Sequence, residues 1–242
     1  MTGEAAAEDQ VLGAPVSGPP ARRPARVALE GRHVSVRPFD VDLHAADLFA
    51  ASHGSAEVEA LWDFLSVPPF ADLDAFRRSY AEAALKDDPL MFALVDPASG
   101  RAVGHATYMR IEPAHRVIEV GNILFTPALQ RSRAATEAMY LMARHAFEDL
   151  GYRRYEWKCN ALNAPSRRAA LRLGFTYEGL FRQHMVIKGR NRDTTWFSLL
   201  DHEWPRAKAA FEAWLAPGNF DADGRQKSRL EDIRNTLEKE TP

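Results

Sequence analysis

Three places in this chain carry residue types and spacings that chemistry could use. The first is the turn Gln130-Arg131-Ser132-Arg133, between a strand-like run that stops at Pro127 and an apolar-striped helix expected over about residues 132–150. Such a helix mouth presents unpaired backbone N–H groups at the positive end of the helix dipole. The dipole is worth about half a unit charge, and Arg131 and Arg133 add to it, so a phosphate or diphosphate fits there; the alternative is that both arginines are merely solvated. Neither glycine-rich nucleotide motif, GxGxxG or GxxxxGK[ST], is present. The second place is Glu119, flanked by Ile118 and Val120. A partly buried carboxylate there has a raised pKa suited to accepting a proton, directly or through water, or else it pairs with an arginine at the sheet surface. The third is the segment NAPSRR, in which either Asn163 or Ser166 is a natural helix N-cap.

Bulk properties exclude several other chemistries. With 31 Lys+Arg against 33 Asp+Glu, the net charge of -2 gives no basic excess for nucleic acid or an anionic membrane. The eight histidines form no H-x-x-x-H or H-x-H pair and there is no cysteine cluster, so no metal site is expected. Cys159 is the only cysteine, which rules out an internal disulfide and fits a reducing compartment; beside Trp157 in a strand it reads as a small buried residue and not a nucleophile. No apolar run approaches the length of a bilayer span and no signal-peptide core precedes the domain, so the expected location is cytoplasmic. Monomer and homodimer are both open.

The elements that must position these residues follow from periodicity. Residues 1–26 are rich in Ala, Pro and Gly and read as a flexible leader; residues 27–215 read as one domain and 216–242 as a charged tail or peripheral helix. A hairpin with Glu30-Gly31 at its turn opens the domain. A helix follows with Asp40 as N-cap and Leu43, Ala46 and Leu48 to Ala50 as its buried stripe. LWDFLSVPPF, residues 61–70, cannot continue as helix and reads as an aromatic-bearing loop in which Trp62, Phe64 and Phe70 either line a pocket or pin the loop to the core. Strands then alternate with helices, and Gly121-Asn122 marks a weakened or bulged point in one of them. The fold class is α/β of the α+β type: a mixed, mostly antiparallel central sheet with helices on both faces.

The turn QRSRAA after VIEVGNILFTP, the segment KCNALNAPSRRAALRLGF with its Asn163, Ser166, Leu173, Gly174, Phe175 series, and the ending YEGLFRQ together resemble the GNAT acetyltransferase superfamily, in its RimJ/RimL-type branch. The likeness spans about residues 27–205. It implies acetyl-coenzyme A as cosubstrate, with the diphosphate on the turn Gln/Arg-x-x-Gly-x-Gly/Ala, matched here by Gln130, Arg131, Arg133, Ala134 and Ala135. Arg133 stands where that pattern has its first glycine. The resemblance also implies that backbone groups of Asn122, Ile123 and Leu124 face the thioester and the coenzyme arm, that Asn163 contacts that arm, and that Ser166 protonates the departing thiolate. Where the branch can place a catalytic glutamate in the following hairpin, this chain has Met185, which leaves Glu119 or ordered water as the base. LWDFLSVPPF resembles a loop that borders the acceptor pocket in part of the branch. The expected activity is acetyl transfer to a primary amine by direct attack, with a protein N-terminal α-amine as the leading acceptor; a small-molecule amine, or a degenerate coenzyme-binding sensor, are the alternatives.

Overall fold

In the computed structural model, residues 13–240 are described. Leu29–Glu30 (β1) and Ser35–Pro38 (β2) form the opening antiparallel hairpin. The turn between them is fixed from far along the chain. Glu137, buried in the helix Arg133–Arg144, accepts from the backbone N–H groups of Arg32 at 3.0 Å, His33 at 2.5 Å and Val34 at 3.1 Å. A Cβ at Gly31 would stand 2.6 Å from Glu137 Oε2, so the close approach of this carboxylate requires glycine.

Val41–Ser52 (α1) is capped by Asp40, whose Oδ1 accepts from Asp42 N at 2.8 Å and Leu43 N at 3.2 Å. Its phase differs from the expected stripe. Leu43 is 71% exposed, whereas His44, Ala45 and Leu48 are buried, because His44 Nδ1 accepts from Asp40 N at 3.0 Å and this contact turns His44 inward. Ala56–Glu59 (α2) and a 3-10 turn, Ala60–Trp62, lead into the proline-rich segment, after which Asp72 caps Leu73–Ala84 (α3).

Leu90–Val95 (β3), Ala102–Glu112 (β4), Val117–Phe125 (β5), Arg154–Asn160 (β6), Thr176–Ile187 (β7) and Arg190–Leu200 (β8) complete one eight-stranded sheet in the order β1-β2-β3-β4-β5-β6-β8-β7. Among the described residues only β5 and β6 pair parallel; the other neighbours are antiparallel, as the sequence predicts. Alternation then assigns the two faces. Leu90, Phe92 and Leu94 of β3, Ile118 and Val120 of β5, and Tyr155, Trp157 and Cys159 of β6 face one core. It is covered by Arg133–Arg144 (α4), which runs on through a π turn, His145–Asp149, and by Ala164–Leu173 (α5) and Trp204–Leu215 (α6). Met91, Ala93 and Val95 face the opposite core, under α1 and α3. By the same alternation Glu119, Arg154, Glu156 and Lys158 lie on that second face, beyond the reach of α1 and α3.

Both ends of the described chain are tied to this body. Of the expected leader, residues 1–12 lie outside the described residues; after them Ala21 N donates to Pro113 O at 3.0 Å and Arg22 N to Leu150 O at 2.8 Å. At the other end, Leu230–Glu240 (α7) follows a 3-10 turn, Pro217–Asn219. It docks through Leu230, 1% exposed, while Arg234 donates to the C-terminal carbonyls of α5, Arg172 O at 2.8 Å and Leu171 O at 3.1 Å.

Candidate active site

β5 and β6 stay together for three residues, with Val117, Ile118 and Glu119 opposite Arg154, Tyr155 and Glu156. Beyond Glu119 the strands part, so Val120–Phe125 has no strand on that flank among the described residues. On its other flank β5 bulges: Asn122 and Ile123 fall between the pairs Thr107–Gly121 and His105–Leu124. Asn122 sits at φ +47°, a left-handed conformation that asparagine tolerates better than most residues. Asn122, Ile123 and Leu124 thus share one open edge in the middle of the sheet. A Cβ at Gly121 would stand 2.6 Å from Met109 Sδ and 3.2 Å from Glu119 Oε1, so the missing side chain makes room for both neighbours.

Where this edge ends, the chain turns into α4. Gln130 Nε2 donates to Phe125 O at 3.0 Å and ties the turn, Arg131 is exposed at φ +57°, and Ser132 is the N-cap, its Oγ accepting from Ala135 N at 3.1 Å. The amides of Arg133 and Ala134 find no acceptor within the described residues and form the helix mouth. Arg133 itself is held sideways: its guanidinium lies 4.2 Å from the centroid of the Phe220 ring, in the segment joining α6 to α7. The two arginines of the turn are therefore unlike: Arg131 has no partner among the described residues, and Arg133 is stacked.

On the second face of the sheet, Glu119 is 4% exposed and its Oε2 lies 2.9 Å from Lys158 Nζ and 2.9 Å from Arg110 Nε. Glu119 is therefore at once buried and ion-paired. Burial raises its pKa, while the charge and hydrogen bond of Lys158 and the charge of Arg110 pull the other way without cancelling that rise. Lys158 also reaches Glu156 Oε2 at 2.6 Å and lies 3.8 Å above the centroid of the Trp196 ring; Glu156 is shared with Arg154, which bridges on to Glu178.

Two further bulges aim side chains at this network. Arg110, at φ +49°, is turned onto Glu119 while its own N–H and that of Ile111 donate to the Asp88 carboxylate, each at 2.9 Å. Gln183, at φ +50°, donates its N–H to Asp193 Oδ1 at 2.7 Å, and beyond it His184 Nδ1 meets Thr194 Oγ1 at 2.9 Å. Left-handed backbone costs about 1–2 kcal/mol for an L residue, which these carboxylate bonds offset. The sequence reading did not single out Lys158, Arg110, Glu156, Arg192, His184 or Trp196 as site residues. Its available signal was the alternation in RYEWKCN, where charged Arg154, Glu156 and Lys158 interleave with apolar Tyr155, Trp157 and Cys159.

Asn163, not Ser166, caps α5: its Oδ1 accepts from Ser166 N at 3.0 Å, and Ser166 stands in the first turn. Ser166 Oγ accepts from Trp157 Nε1 at 3.0 Å, which leaves its hydroxyl hydrogen free to donate. Cys159 is 5% exposed, with Sγ 3.2 Å from Thr195 Oγ1. In the aromatic segment Trp62 is wholly buried and donates to Ser52 O at 2.9 Å, so it pins the loop; Phe70 packs half-buried against it, and Phe64 is 39% exposed. Lys188, at the tip of the β7–β8 hairpin, donates to Trp62 O at 2.8 Å and Asp63 O at 3.1 Å, joining that tip to the aromatic loop.

A sheet parted beside a helix mouth, with a buried carboxylate on the face opposite the helix, defines an acyltransferase architecture. Residues 33–176 match the family described as Acetyltransferase (GNAT) domain. A crystal structure of a GCN5-related N-acetyltransferase from Brucella melitensis is 49% identical, superposes with a TM-score of 0.88, and the match covers 90% of this chain and 99% of that one. The uncharacterized N-acetyltransferase p20 of Bacillus licheniformis is 25% identical over 167 residues, 68% of this chain and 92% of its own length. RimL, a ribosomal alpha-N-protein acetyltransferase crystallised with coenzyme A, shares the fold at a TM-score of 0.62 and 18% identity, over 73% of this chain and 99% of that one. The chain belongs to the GNAT superfamily, in its RimJ/RimL-type branch, and is an N-acetyltransferase. Membership implies acetyl-coenzyme A as the donor.

Proposed function

We propose that this enzyme acetylates the α-amine at the N-terminus of a protein. The observation that carries the reading is the parting of β5 from β6 at Glu119, which opens the sheet between a helix mouth on one face and a buried carboxylate on the other. The residues present suit the donor. The amides of Arg133 and Ala134, with Arg131 beside them, would hold its diphosphate at the positive end of α4, and the edge Asn122–Leu124 would hold its amide-bearing arm. Acetyl-coenzyme A supplies an acyl group activated as a thioester.

The chain's own residues then have three tasks. Glu119, with its raised pKa, takes the proton of the incoming ammonium, directly or through water. Backbone N–H groups on the bulged edge stabilise negative charge that develops on the acyl oxygen. Ser166, its oxygen already accepting from Trp157, donates its hydrogen to the departing sulfur. The acceptor choice follows from the cost of the first task. At pH 7 an α-amine of pKa about 7.7–8.0 is deprotonated for about 1–1.4 kcal/mol, against about 4.6 kcal/mol for lysine. A carboxylate tempered by two cations suits the smaller cost. The likeness to RimL, which acts on a protein α-amine, supports the same choice.

The test is release of free thiol from acetyl-coenzyme A with peptides bearing a free N-terminus, peptides blocked there but carrying lysine, and small amines. Mass gain on the free N-terminus alone is expected; gain on lysine or on small amines alone would refute the acceptor assignment.

A further inference from the structure

Arg192, on β8 across from Met185, is a half-buried guanidinium with no carboxylate at ion-pairing distance among the described residues. Its Nε donates to Thr194 Oγ1 at 3.2 Å. Three other cations of this face are matched, Arg110 and Lys158 on Glu119 and Arg154 on Glu156 and Glu178. Burial depresses the pKa of Arg192; the charge of Glu119 opposes that, and the charge of Arg110 adds to it. Arg192 is joined to the site through Thr194 and His184, whose ring stands 6.2 Å from Trp196, and Trp196 in turn lies 3.8 Å below Lys158 Nζ, the partner of Glu119.

The surroundings are those of a binding wall. His184 Nδ1 shares the Thr194 hydroxyl at 2.9 Å, and its ring stands 5.5 Å from Phe181 and 6.2 Å from Trp196. Phe181 lies 4.6 Å from Trp196 and is 50% exposed. A guanidinium taken partly out of water beside other cations is costly until an anion arrives, and its planar fork suits a carboxylate.

The geometry points to Arg192 as the reader of a carboxylate on the acceptor: the substrate is a primary amine with a carboxylate within about one residue of it. This rests on the acetyl-transfer reading above and deepens it. An N-terminus followed by Asp or Glu and a free amino acid both supply that chemistry, and the aromatic wall would pack the intervening atoms.

The experiment uses the full chain, acetyl-coenzyme A and matched acceptors: peptides beginning Ser-Asp or Ser-Asn, and alanine against alaninamide. The wild type is expected to favour the carboxylate member of at least one pair by about 10- to 100-fold in kcat/KM, the range that pairing a charged group spans. The peptide pair and the amino-acid pair tell the two sources apart. In Arg192→Gln that ratio should collapse toward 1, and in Arg192→Lys, which keeps the charge without the fork, it should fall to an intermediate value. Equal turnover within both pairs by the wild type overturns the inference alone, as does an unchanged ratio in Arg192→Gln. If Arg192→Gln does not fold, the wild-type ratio and that of Arg192→Lys decide. No thiol release with any amine would instead remove the acetyl-transfer reading, and the inference with it.

Discussion

Lys158 Nζ lies 2.9 Å from Glu119 Oε2, and the two side chains are only 3% and 5% exposed. The pair spans the point at which β5 and β6 part, so the charge that orders the site also staples the last contact before the opening. Taking one partner from a buried ion pair strands the other, at a cost of about 3–5 kcal/mol. Lys158→Met should lower unfolding stability in urea titrations by less than that amount, because Arg110 stays on Glu119 and Arg154 on Glu156. Adding Glu119→Gln should recover part of the loss; a double variant that falls by the sum of the single effects would show the two residues to be uncoupled.

Glu119→Gln alone removes the proposed proton acceptor, so kcat should drop about 100- to 10,000-fold near neutral pH, with little change in coenzyme affinity. In the wild type the rate should rise with pH through the raised pKa of Glu119, and this limb should vanish in the variant. Stability should respond with the opposite sign. With a folded pKa above its ordinary 4.5, Glu119 holds more protons folded than unfolded, so its contribution is present at low pH and lost as pH rises through the raised value. A pH–rate profile that keeps the same limb in the variant would point to water or another group as the base.

Arg131 and Arg133 should contribute unequally to coenzyme binding. Their joint replacement by Ala should weaken it by about 1–3 kcal/mol in titration calorimetry if charge-assisted bonds to phosphate form. Most of this is expected from Arg131, because Arg133 is stacked on Phe220. Phe220→Ala should loosen the C-terminal segment by the value of an exposed cation–π contact, about 0.5–1 kcal/mol. Equal losses from the two single arginine variants would show that Arg133 leaves its ring to meet the ligand.

His105, opposite Leu124 of the bulged edge, provides a stability probe. It is wholly buried, its Nε2 is 2.8 Å from Tyr80 Oη, and burial lowers its pKa from 6.5 to about 4. The folded form holds fewer protons than the unfolded one between these values. Its stabilising contribution is thus complete above pH 6.5 and lost as pH falls toward 4, by about 3 kcal/mol. His105→Gln should show a correspondingly smaller fall in unfolding free energy between pH 7 and pH 4.

Ser166→Ala should lower kcat more than it raises the KM for acetyl-coenzyme A, and it should leave Trp157 Nε1 without its acceptor at a cost of about 1–3 kcal/mol. A stability loss with unchanged kcat would reduce Ser166 to a packing role.

What local sequence determined was the set of elements and the bulge at the open edge: the opening hairpin at Glu30-Gly31, Asp40 as cap, Gly121-Asn122 as a bulge, and a helix beginning where Pro127 and Gln130 end a strand. These follow from near-neighbour sterics and hydrogen bonding, which a short window contains. It mistook the phase of α1 and left the cap of α5 open between Asn163 and Ser166, because a single side-chain bond, His44 to Asp40 N or Asn163 to Ser166 N, settles each. Only the tertiary structure decided the charges of the site. Arg110, Glu119 and Lys158 meet from three strands, Arg133 is claimed by Phe220 nearly ninety residues on, and Arg192 is left without a carboxylate among the described residues. Coulomb interactions and burial depend on distance in space, and the register of β5, β6 and β8, which brings those groups together, is a property of the assembled sheet.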